Sequence, residues 1–155
     1  MHSQAIGKDI GKFTEKVMER VKAGGIMGIN VVGACFFDFD FLHLVHTFKE
    51  TVNFSEAIFS KAANFGGVTF SKGANFEYSL FWEEAHFSGA KFLQCANFRG
   101  TTFDNNATFS KDFTETSFKA EAIFSQAKFF GDAIFDNAAF DKKAYFDLTK
   151  FHKEA

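Results

Sequence analysis

A chain of 155 residues is long enough for one domain with a substantial core. It holds 26 Phe and no Pro, a use of aromatics foreign to ordinary globular proteins, so an internal period is the first thing to test. Seventeen basic against nineteen acidic side chains leave a formal charge of −2, so neither a nucleic-acid binder nor a strongly acidic mimic of one is expected.

The first residues, MHSQAIGKDIGKF, lack a basic segment followed by an apolar run, and no signal peptide is read there. No stretch reaches the ~18 apolar residues that span a bilayer. A cytoplasmic protein without a membrane partner is therefore expected. Residues 4–22 carry Ile6, Ile10, Phe13, Val17 and Val21 on one helical face. Ser3 is placed to cap this helix and Gly24-Gly25 to end it, giving an amphipathic segment over 1–25. Residues 26–47, with IMGINVV and ACFFDFDFLHLV, read as irregular first strands covered by that helix. The helix serves most simply as a cap on an open sheet end, and helix-mediated dimerisation is the sharper alternative.

From residue 48 the Phe positions run 48, 54, 59, 65, 70, 76, 81, 87, 92, 98, 103 and 109, then 118, 124, 129, 135, 140, 146 and 151. The steps alternate six and five, an eleven-residue unit. Two residues before most of these Phe stands a small one, such as Ala57, Ala74, Ala96 and Ala122. Between them stands, in most repeats, a polar one, such as Asn53, Asn75, His86 or Lys91. Strand alternation puts the small residue and the Phe on one side and the polar residue on the other. An eleven-residue helical repeat exists in principle. Gly66, Gly67, Gly89, Gly100 and many Asn, Ser and Thr in the linking positions favour turns instead. Short strands and tight turns wound into an all-β solenoid fit the pattern.

Segments such as AIFSKAANFGGVTF, AHFSGAKFLQCANF and AIFSQAKFFGDAIF resemble pentapeptide-repeat proteins, in the variant alternating five- and six-residue units. The resemblance covers residues 48–151. It implies a right-handed quadrilateral β-helix of about 4–5 coils, with the large residue and the small one before it facing inward. It has Phe at the centre where many members have Leu. Four sides of five, six, five and six residues give a 22-residue coil. Phe54, Phe76 and Phe98 then stack in one column, and Phe59, Phe81 and Phe103 in another. Asn53, Asn75 and Asn97 would form an amide ladder outside. The structural core is assigned to Phe54, Phe59, Phe65, Phe70, Phe76, Phe81, Phe87, Phe92, Phe98, Phe103, Phe109, Phe118, Phe124, Phe129, Phe135, Phe140 and Phe146.

Phe113 breaks the rhythm, four residues after Phe109. Either it centres a shortened side, or one side is expanded from Phe109 to Phe118. The second reading is favoured: it keeps Phe118 under Phe92, Phe124 under Phe98 and Phe129 under Phe103. It makes Ser110–Ser117 a loop with about four extra residues. Loops on rigid scaffolds often carry function, so Lys111, Asp112, Phe113 and Glu115 are candidate partner-binding residues; a neutral insertion is the alternative. Beyond Phe151 only the tail 152–155 follows, so the last coil is expected to pair end to end with a second copy.

No catalytic signature is found, no cofactor is expected, and an enzyme is not expected. His43 and His46, near Asp38 and Asp40, are read as structural rather than as a metal site. Cys35 and Cys95 read as buried reduced thiols. Glu83 and Glu84, adjacent in the chain, make a poor acid–base pair. Trp82 and Phe130 each directly follow a core Phe, where most repeats have a polar residue. In the favoured register they share one side, two coils apart, with Asp104 between them and Tyr78 near the turn leading in. These four residues are a candidate contact patch; local packing is the competing reading. The functional expectation is a non-enzymatic scaffold whose flat faces bind an unidentified protein. The alternative, a DNA-mimicking gyrase modulator, is disfavoured because residues 48–151 hold thirteen acidic against eleven basic side chains.

Overall fold

The computed structural model describes residues 29–36, 39–40, 46–110 and 115–152. The expected helix over 4–22 lies outside them. The described chain forms an all-β parallel solenoid of about five turns. Strands of two residues fall into four parallel sheets that the chain visits in fixed order. Sheet I runs from Ile29–Asn30 to Ala144–Tyr145, and sheet II from Cys35–Phe36 to Lys150–Phe151. Sheet III runs from Phe39–Asp40 to Ala133–Ile134, and sheet IV from Thr47–Phe48 to Ala139–Phe140. Among the described residues no helix is long and apolar enough to cross a membrane.

The turns explain the alternating step. In each five-residue step the small residue donates its N–H to the carbonyl of the preceding Phe, as Ala57 does to Phe54 (3.1 Å) and Val68 to Phe65 (3.2 Å). The residue before the donor has positive φ, the signature of a type II turn. All nine described residues with positive φ occupy this position: Gly33, Glu56, Gly67, Tyr78, Gly89, Gly100, Gln126, Asn137 and Leu148. The six-residue steps turn with one residue more and without that conformation.

Paired strands lie 22 residues apart through most of the chain, as Phe81 pairs with Phe103. The first strands are offset by 23 or 24, as Ile29 with Val52 and Phe39 with Ala63. Inward Phe rings stack coil upon coil, with centroids from 4.5 Å (Phe59–Phe81) to 5.3 Å (Phe48–Phe70) apart. Phe76 stacks on Phe54 and Phe98 and meets Phe65 and Phe87 edge-on. Such pairs add ~0.5–1.5 kcal/mol each beyond burial. Outside, Asn75 donates to Asn53 and Asn97 donates to Asn75, both at 3.1 Å, so the expected amide ladder exists.

The favoured register across the break holds. Phe92 pairs with Phe118 and Phe103 with Phe129, and Phe98 stacks on Phe124 at 5.0 Å. A shortened side centred on Phe113 would have shifted every later column. The loop is shorter than expected, because Ser110, Thr116 and Ser117 are buried. Thr116 stands two before Phe118, at the inward position, and its hydroxyl replaces the missing turn. Its oxygen accepts from Gly89 N–H at 2.8 Å and lies within donating reach of the Ser110 and Phe87 carbonyls, at 2.7 and 3.0 Å.

Core Phe residues through Phe129 are buried. Phe135 and Phe140 are half-buried, and Phe146, expected in the core, is 39% exposed. Phe146 stacks on Phe124 at 5.1 Å, but no described coil covers its other face. The two cysteines are unpaired as expected but only half-buried. Burial raises the Cys95 thiol above its ordinary value, with a lesser contribution from the Glu121 carboxylate.

Candidate functional site

Sheet II positions the candidate patch. Tyr78, Leu80 and Trp82 alternate outward with the inward Ser79 and Phe81. Tyr78 is 53% exposed, Trp82 49% and Phe130 46%, against complete burial of Phe81 and Phe129 beside them. Register places Phe81, Phe103 and Phe129 in one column, so the residues after them, Trp82, Asp104 and Phe130, also form a column. Trp82 and Phe130 are thus two strand spacings apart, about 10 Å.

Each of these side chains has local contacts. The Tyr78 ring lies over Gly100, where an added Cβ would stand 2.4 Å from two ring carbons. Asn105 Nδ2 donates to the Trp82 carbonyl at 3.1 Å. The Phe130 ring stacks on His152 at 4.6 Å and 8°. That stack was missed in the sequence, although His152 is 22 residues after Phe130, one coil length. Below Phe130 the chain passes tightly over the preceding turn. A Cβ at Gly131 would meet the Asn105 carbonyl carbon at 2.5 Å, and Asp132 N–H donates to Asn106 Oδ1 at 2.9 Å. Asn106, Phe130, Gly131, Asp132, Ala133, Phe151 and His152 line an open groove of about 330 Å3.

Lys111, Asp112 and Phe113 lie outside the described residues. Glu115 is exposed and precedes the sheet IV strand Ser117–Phe118. In the chain the insertion falls between the sheet III strand Ala107–Thr108 and the sheet IV strand Ser117–Phe118, whereas Trp82 follows a sheet II strand. Asp38 and His43 also lie outside the described residues, and His46 is exposed. Among the described residues no three His, Cys, Asp or Glu side chains gather as a metal site. Glu83 accepts a hydrogen bond from Lys61 Nζ at 2.8 Å, and that bond holds its carboxyl below the usual range. This carboxylate is spent on an ion pair between coils.

A comparison with protein-family models, curated proteins and solved structures finds no match. Function must be read from this chain's own surface. A repetitive solenoid is compatible with a structural or interaction role, but fold alone does not assign one.

Proposed function

We propose that the chain is a non-enzymatic scaffold of the pentapeptide-repeat kind, wound right-handed with a square section, whose sheet II face binds a protein partner. The observation that carries this reading is the outward placement of Trp82 and Phe130 on one rigid face, each about half exposed. Aromatic residues, Phe among them, are enriched at protein interfaces, and Trp is one of the types that dominate their energetics. The cytoplasm is the compartment proposed.

The near-even charge on the repeat does not favour a gyrase modulator acting as a mimic of duplex phosphate. A supercoiling assay unaffected by the protein is the expected result. The scaffold reading is tested with Trp82→Ala. The variant is expected to keep its β circular dichroism and melting temperature while losing proteins that the wild type captures from its native host. Loss of solubility or of the β signal makes Trp82 a packing residue and removes the patch.

A further inference from the structure

Lys128 and Lys150 occupy paired positions on sheet II, both exposed and one directly over the other. Strand spacing puts their Cα atoms ~4.8 Å apart. Like charges held opposite one another destabilise a ladder. Among the described strand pairs this is the one place where two charged residues of like sign stand opposite. Elsewhere charges on successive coils are matched: Lys61 with Glu83 at 2.8 Å, Lys119 with Asp141 at 3.1 Å, and Arg99 with Glu77 at 4.0 Å. Among the described residues, neither Lys128 nor Lys150 has an ion pair. The position above them is Thr102, which offers no charge. Two residues along each strand come Phe130 and His152, stacked on each other and lining the open groove.

We propose that this lysine rung, with the Phe130–His152 shelf beside it, binds an acidic segment of a protein partner that carries an apolar side chain. The inference rests on the scaffold reading and names the chemistry of the partner. Alternate side chains of an extended segment point the same way, ~6.6–6.8 Å apart. The flexible lysine stems can meet two carboxylates at that spacing, with an apolar residue two positions further along, on the same face, meeting Phe130. A nucleic acid fits less well, because its affinity is built from many phosphate contacts. This rung supplies two lysines, too few for a long run of phosphate contacts.

The test uses a fluorescein-labelled peptide, Ser-Glu-Ser-Glu-Ser-Leu, titrated by anisotropy against the full chain. Controls are the same peptide with Lys for Glu and a single-stranded oligonucleotide. Lys128→Glu is the informative variant, because the new carboxylate stands over Lys150 in the matched arrangement that Lys61 and Glu83 already make. Its affinity for the acidic peptide should fall about tenfold or more, the loss of one charge-assisted contact. Its melting temperature should stay level or rise. Any one of four results overturns the proposal: no binding by the wild type at millimolar peptide, equal binding by the variant, tighter binding of the oligonucleotide, or a lower melting temperature in the variant. A wild type that captures a partner through Trp82 yet ignores the peptide keeps the scaffold reading and loses this one.

Discussion

Tyr78 has φ 55° and lays its ring across Gly100, which itself has φ 63°. Gly100 is thus constrained twice, by its backbone and by the ring above it. Gly100→Ala is expected to cost ~1–3 kcal/mol, the usual range for a residue forced into a sparsely populated conformation. The urea midpoint measures it. In a Tyr78→Ala background the ring is gone, so Gly100→Ala should cost less there, and the double-mutant cycle reads the difference. Equal costs in both backgrounds would mean the ring does not press on residue 100. The glycines at this turn position are legible in the sequence. Glu56, Tyr78, Gln126 and Leu148 are not, because a side chain in a left-handed turn leaves no compositional mark. The turn imposes its conformation through the Phe columns on either side, and local preference yields.

At the scale of the element, the insertion after Ser110 shows what the solenoid tolerates. Ordinary turns between sheets III and IV read Gly66-Gly67-Val68 and Ser88-Gly89-Ala90. Here five residues, 111–115, stand where one glycine stands in those turns. Replacing them with one glycine should preserve the fold and leave the urea midpoint equal or higher, since shorter loops cost less to close. Unfolding of the shortened chain would show that the longer segment supports the core. The register across the break was legible because Phe118, Phe124 and Phe129 fall back into earlier columns. The role of Thr116 was not, because a threonine in a polar run looks like loop until its neighbours above are known. Its buried hydroxyl satisfies the Gly89 N–H, whose bond to Ser110 has lengthened to 3.3 Å. The lysine rung was hidden for a related reason. Lys128 and Lys150 look like two scattered polar residues until coil length sets them face to face.

Across the whole molecule, burial fades toward the last described coil, where Phe146 is 39% and Phe151 58% exposed. Exposed aromatics and unpaired strand edges favour pairing, so we propose self-association through this coil. Sedimentation at micromolar concentration should give twice the monomer mass, and a monomer there ends the idea. One consequence of the strand register concerns how the chain reaches its fold. Every described strand pair joins residues between 22 and 26 positions apart, whatever its place along the axis. Loop closure therefore costs nearly the same for each added coil. Nucleation is then free to begin wherever two coils first pack their rings, with growth proceeding outward from that pair. The completely buried columns from Phe76 to Phe109 are the natural starting point, and the exposed last coil is the first to open again.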